Sequence, residues 1–96
     1  MHPFIEQHRL TIRALAERRG IEDVRVFGSM ARGDIDVVGQ SDIDLLVSLP
    51  SGRSGLALRG LLMDVQELTQ RKVDLVTEAS LAAPLRDRIL REAQPL

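Results

Sequence analysis

The sequence has 96 residues, of which 44% are hydrophobic, so it has room for one hydrophobic core and we expect a single domain over residues 1–96. It contains no cysteine, which excludes disulfides and thiolate metal sites. No apolar run approaches the roughly 20 residues of a membrane span, so we expect a cytoplasmic protein without a membrane partner. The net charge of −1 is unevenly distributed, because residues 34–50 hold four aspartates and no basic residue; this suits a cation site and argues against direct nucleic-acid binding, which needs clustered Lys and Arg.

Helical and extended patterns alternate along the chain. Pro3 and Gly20 are typical of the start and the end of a helix, which we place at about residues 3–19. The other predicted elements are strands over residues 23–28, 42–49 and 72–77, a short helix over 29–32, a loop over 33–41, and helices over the apolar stripes at 58–69 and 81–89. Ser80 is a candidate cap for the last helix. This order predicts an α/β, or α+β, fold with a small mixed sheet flanked by helices.

Two aspartates lie one residue apart at the start of the second predicted strand. Side chains alternate between the faces of a strand, so Asp42 and Asp44 project from the same side, with Cα atoms about 6.5–7 Å apart. Ile43, Leu45 and Val47 take the opposite face, toward a core. Two carboxylates this close repel each other, and Mg²⁺ removes that conflict because it is commonly held by one or two carboxylates plus substrate phosphates.

Three further features join this pair. Asp74 is flanked by apolar residues in the third predicted strand, and it would reach the same metal centre if that strand neighbours the second. Gly28 lets the backbone approach a phosphate closely, and the hydroxyl of Ser29 can donate to a phosphate oxygen. Arg32 is either a phosphate ligand or a surface charge. Together these residues predict phosphoryl or nucleotidyl transfer.

The pattern "GSMARG…SDIDLLV" resembles the signature of the polymerase-β-like nucleotidyltransferases, and most closely their minimal group, the MNT proteins. The resemblance covers about residues 21–90, and it implies the polymerase-β-like nucleotidyltransferase fold. The positions that match the signature are Gly28, Ser29, Asp42, Asp44 and Asp74, with Arg32 and Gly33 as a frequent continuation. Twelve residues separate Ser29 from Asp42, about two more than is usual in the group, which predicts a longer loop around residues 34–40.

The resemblance also implies an activity and a partner. Small members of the group are antitoxins that transfer AMP from ATP to a tyrosine of a HEPN-type toxin, using two Mg²⁺ ions. On that basis Asp42 and Asp44 would hold both ions, and Asp74 would hold the catalytic ion and help the incoming hydroxyl to attack. Gly28, Ser29 and Arg32 would bind the nucleotide.

Other interpretations stay open from the sequence alone. The chain could keep the fold but neutralise its partner by occlusion, or it could modify a small molecule or an RNA end. The second Asp-x-Asp, at Asp34 and Asp36, falls in a predicted loop and is interpreted as a pair of solvated acids. His2 and His8 are interpreted as surface residues rather than metal ligands.

Overall fold

The computed structural model describes residues 1–33 and 41–96. In chain order the helices are α1 (Pro3–Arg18), α2 (Ser29–Arg32), α3 (Gly55–Thr69) and α4 (Ala83–Glu92), and the strands are β1 (Glu22–Phe27), β2 (Ile43–Ser48), β3 (Val73–Thr77) and β4 (Gln94–Pro95). A 3₁₀ turn (Glu78–Ser80) follows β3. The predicted loop acids Asp34 and Asp36, and the longer loop that contains them, lie outside the described residues.

The four strands form one mixed sheet in the order β3-β2-β1-β4. β1 pairs antiparallel with β2 and with β4, whereas β2 and β3 are parallel. The predicted fold class, a small mixed sheet flanked by helices, is therefore confirmed. The sequence interpretation missed β4, whose two residues, Gln94 and Pro95, are too few to give a periodic signal.

The main core lies between one face of the sheet and the helices α1 and α3. Ile43, Leu45 and Val47 of β2 are fully buried there, as the alternation of their side chains predicted. Leu61 and Val65 are fully buried side chains of α3 that belong to the same core. The opposite face of the sheet therefore remains available to position polar side chains.

Local signals explain where the long helices begin. Pro3 occupies the first turn of α1, and the Nδ1 atom of His2 accepts a hydrogen bond from the Phe4 N–H at 3.1 Å, so His2 is the helix cap. At α3 the hydroxyl of Ser54 accepts from the Leu56 N–H at 3.0 Å. No helix in the described part of the chain is both long and apolar enough to cross a membrane.

The predicted cap of the last helix is wrong. Ser80 ends the 3₁₀ turn, where its hydroxyl donates to the Thr77 carbonyl at 2.7 Å, and α4 begins three residues later at Ala83. The hydroxyl oxygen also accepts a hydrogen bond from the Thr77 N–H at 3.3 Å, so Ser80 closes the turn after β3, and Ala82 is the residue that directly precedes α4. The better sequence signal was Pro84, because proline is favoured in the first turn of a helix.

Candidate active site

A cleft of about 630 Å³ lies between the second face of the sheet and α4. Its polar lining consists of Arg32, Asp44, Asp74, Arg88 and Glu92. Its apolar lining includes Phe27, Val76, Leu81, Leu85 and Ile89. The cleft thus has an acidic floor on the strands, and its helix side combines charged and apolar side chains.

The floor is formed by two aspartates on neighbouring strands. Asp44 and Asp74 are direct register partners in the parallel ladder of β2 and β3, so their side chains emerge side by side on the face that looks away from the main core. The sequence interpretation made this pairing conditional on β2 and β3 being neighbours. The structure meets that condition.

The environment of Asp44 stabilises the protonated form of its carboxyl. Burial, then the negative charges of Asp74 and Asp42, raise the pKa of Asp44 to about 6, and a hydrogen bond to Asp74 and the charge of Glu92 act in the same direction. The factors that favour a proton on Asp44 would equally favour a cation in its place. The pair therefore fits a hard divalent cation with oxygen ligands, such as Mg²⁺.

Asp42 is not among the described residues that line the cleft. It precedes β2, which begins at Ile43, and its side chain is 46% exposed. Its Oδ2 atom lies 3.9 Å from Nζ of Lys72, the residue just before β3. Across residues 1–33 and 41–96, no three His, Asp or Glu side chains form a group that could hold a metal ion by themselves. Magnesium sites that use substrate phosphates need no such closed cage.

Gly28 makes the close approach of β1 to Asp44 possible. Its backbone has φ 73° and ψ −156°, a region that essentially only glycine adopts. A Cβ atom built at this position would lie 2.2 Å from Oδ2 of Asp44. The glycine was predicted to admit a phosphate, and the structure gives it a further role, which is to leave room for the carboxylate.

The other residues of the Gly-Ser motif occupy the short helix α2. Ser29 begins α2 and is half-buried, but it is not among the described residues that line the cleft. Arg32 ends α2, lines the cleft and donates from Nη1 to Oε1 of Glu92 on α4. Arg32 is therefore a cleft residue in an ion pair rather than an isolated surface charge.

Sequence reasoning missed the contribution of α4. Arg88 and Glu92 line the cleft, but the sequence interpretation used only the apolar stripe of that helix. A signal was available in the sequence, because Arg88 lies one residue before the buried Ile89 and Glu92 lies three residues after it. At these spacings both side chains lie next to the buried stripe of the helix.

Comparisons with known proteins agree with this geometry. A family model described as the nucleotidyltransferase domain matches residues 8–96. A protein of Methanocaldococcus jannaschii, provisionally named a protein adenylyltransferase, is 38% identical over 76 residues, which are 79% of this chain and 80% of that protein. The protein adenylyltransferase MntA of Thermococcus cleftensis is 36% identical over 78 residues, which are 81% of this chain and 77% of that protein.

Two solved structures extend the comparison to the fold. One, provisionally described as a minimal nucleotidyltransferase, superposes with a TM-score of 0.85 at 40% identity and covers 100% of this chain and 97% of its own. The other is a toxin–antitoxin solved with AMP-PNP, with a TM-score of 0.71 at 22% identity, covering 88% of this chain and 68% of that one. The second similarity is one of fold alone.

Proposed function

Because the chain belongs to the nucleotidyltransferase domain family and is a minimal nucleotidyltransferase, we propose that it transfers AMP from ATP to a tyrosine of a partner protein, a HEPN-type toxin, and so acts as an antitoxin. The observation that carries the proposal is the pair of Asp44 and Asp74 on the floor of an open cleft. The names of the adenylyltransferase relatives support the choice of AMP and of a protein acceptor. The similarity in fold to a toxin–antitoxin structure supports the choice of a toxin.

None of the 96 residues is itself a tyrosine that could act as the acceptor. The 96 residues include two phenylalanines but no tyrosine and no tryptophan. The cleft is open, and it is lined by Leu81, which precedes α4, and by Leu85 and Ile89 of α4, apolar side chains against which an aromatic ring can pack. A protein partner can therefore complete the site of so small a domain.

The proposed reaction is an in-line displacement at the α-phosphorus. The hydroxyl oxygen of the acceptor forms a bond to that phosphorus, the bond to the oxygen bridging the β-phosphorus breaks, and pyrophosphate leaves with the bonding electron pair. Asp74, whose side chain is exposed toward the cleft, receives the proton of the hydroxyl on a carboxylate oxygen. Gly28, Ser29 and Arg32 bind the phosphates.

Asp44 and Asp74, with Asp42 at the edge of the site, would hold the Mg²⁺ ions that the family resemblance implies. When bound, the ions neutralise the phosphates and lower the pKa of the attacking hydroxyl. The raised pKa of Asp44 means that the pair binds a cation in competition with a proton. Cation binding is therefore stronger above about pH 6 than below it.

Transfer of label to the partner tests the proposal. The chain is incubated with α-labelled ATP, Mg²⁺ and its cognate partner, and we expect label on a partner tyrosine. Asp44→Asn should abolish labelling, whereas Asp87→Asn, which changes an exposed acid of α4 that does not line the cleft, should leave it unchanged. Equal labelling by the wild type and Asp44→Asn would refute the assigned roles. Full neutralisation of the toxin by Asp44→Asn without labelling would instead favour occlusion.

A further inference from the structure

An ion pair crosses the cleft between the end of α2 and the end of α4. Arg32 and Glu92 are separated by 60 residues in the sequence, yet Nη1 of the arginine donates to Oε1 of the glutamate, and both side chains line the cleft. The pair stands beside the acidic floor, because the charge of Glu92 reaches Asp44. The carboxylate of Glu92 therefore forms an ion pair with an arginine that faces the proposed nucleotide site.

The position of Glu92 is unexpected for a cleft that binds a triphosphate. With Asp44 and Asp74 it places a third carboxylate on the lining, and an incoming polyphosphate is repelled by all three. A structural tie between two helices could equally be made by uncharged side chains. The choice of a carboxylate on Arg32 therefore needs a functional reason.

We propose that Glu92 holds the place of a nucleotide phosphate on Arg32 and that the two exchange when the nucleotide binds. This inference rests on the proposed function. A guanidinium binds carboxylates and phosphates with the same fork of N–H donors, so one can replace the other without rebuilding the site. The side chain of Arg32 is 52% exposed and that of Glu92 is 22% exposed, so solvent and a ligand can reach the guanidinium and the ion pair can be exchanged.

The released carboxylate has a second partner on its own helix. Arg88 lies four residues before Glu92 on α4, at the spacing that brings side chains together on one helix face, and it also lines the cleft. Glu92 can therefore turn from Arg32 to Arg88 as a phosphate arrives. The exchange makes Glu92 a residue that sets the affinity for nucleotide without touching it.

A double-mutant cycle tests the exchange. Binding of α,β-methylene-ATP, in which a methylene group replaces the bridging oxygen at which the proposed reaction occurs, is measured with Mg²⁺ by isothermal titration calorimetry for the wild type, Glu92→Gln, Arg32→Gln and the double variant. We expect Glu92→Gln to bind about two- to fivefold more tightly and Arg32→Gln about tenfold more weakly. In the Arg32→Gln background, Glu92→Gln should give a clearly smaller gain, because the arginine for which it competes is gone and only the repulsion between its charge and the phosphates remains.

The control separates competition from a general change in charge. Glu67→Gln makes the same substitution at an exposed position of α3 outside the cleft, and it should leave the affinity unchanged. Circular dichroism shows that each variant is folded. Unchanged affinity in Glu92→Gln, or a gain of the same size in the Arg32→Gln background, would overturn the exchange alone. No analogue binding by either the wild type or Glu92→Gln would overturn the proposed function as well.

Discussion

Replacing Gly28 by alanine tests how the end of β1 shapes the acidic floor. The backbone at φ 73° and ψ −156° is essentially restricted to glycine, so the strain alone should lower the free energy of unfolding by about 1–3 kcal/mol. The added Cβ would lie 2.2 Å from Oδ2 of Asp44, and an ordinary contact requires the carboxylate to move by about 1 Å. A displacement of that size at a reacting centre lowers the rate by roughly 10²-fold.

Gly33→Ala is the matched control for this substitution. Gly33 also has a positive φ, 75°, but it lies in the left-handed helical region, and no atom of residues 1–33 and 41–96 is found within 4 Å of an added Cβ. Its cost is about 1–2 kcal/mol, with no effect on Asp44. Thermal unfolding by circular dichroism, at about 4–8 °C per kcal/mol, and partner labelling are measured for both variants. Equal labelling by the two variants would refute the role given to Gly28.

Three further predictions concern charge, metal and packing. Asp44→Asn should raise the free energy of unfolding by about 1–2 kcal/mol at about pH 8 and leave it unchanged near pH 4, which urea unfolding at both pH values checks. The reason is the raised pKa of Asp44, which makes the wild type lose stability as the pH rises through the window between 3.8 and about 6. Solvent screening reduces the size of this effect. Mg²⁺ should raise the melting temperature of the wild type at about pH 8 but not that of Asp44→Asn, since only the intact pair binds the ion. Leu61→Ala, at a fully buried position, should lower the free energy of unfolding measured in urea by about 2–5 kcal/mol. Leu56→Ala changes a side chain of the same helix that is 76% exposed, and it should alter that free energy by less than about 0.5 kcal/mol. A similar loss in both variants would contradict the packing described for α3.

The pattern around β2 was sufficient to predict its two faces. Alternation placed Ile43, Leu45 and Val47 in the core and Asp44 on the other face, and the structure confirms both, because a strand has a strict period of two. The family resemblance drawn from the Gly-Ser and Asp-x-Asp motifs is confirmed as well. Short-range periodicity was thus sufficient to predict the faces of the strand, and the spaced motif was sufficient to predict the family.

Features that depend on tertiary contacts could not be predicted in the same way. The sequence interpretation placed Asp42 in the same strand as Asp44, but β2 begins one residue after Asp42. Asp42 lies beside Lys72, and this contact could not be predicted because it depends on the pairing of β2 with β3. The contact of Arg32 with Glu92 joins residues 60 positions apart and has no local signal. The catalytic, metal-binding and nucleotide-binding roles assigned to the site residues all remain predictions: Gly28, Ser29, Arg32, Asp42, Asp44 and Asp74.

The central claim is that Asp44 and Asp74 jointly hold the metal that binds the nucleotide. A crystal structure of the chain with AMP-PNP and Mn²⁺, used as an anomalous scatterer in place of Mg²⁺, tests it most directly. We predict an anomalous peak at a coordination distance of about 2 Å from oxygens of both carboxylates, with the triphosphate in the cleft beside Gly28. A well-ordered nucleotide bound elsewhere, or a metal that contacts neither aspartate, would contradict the claim.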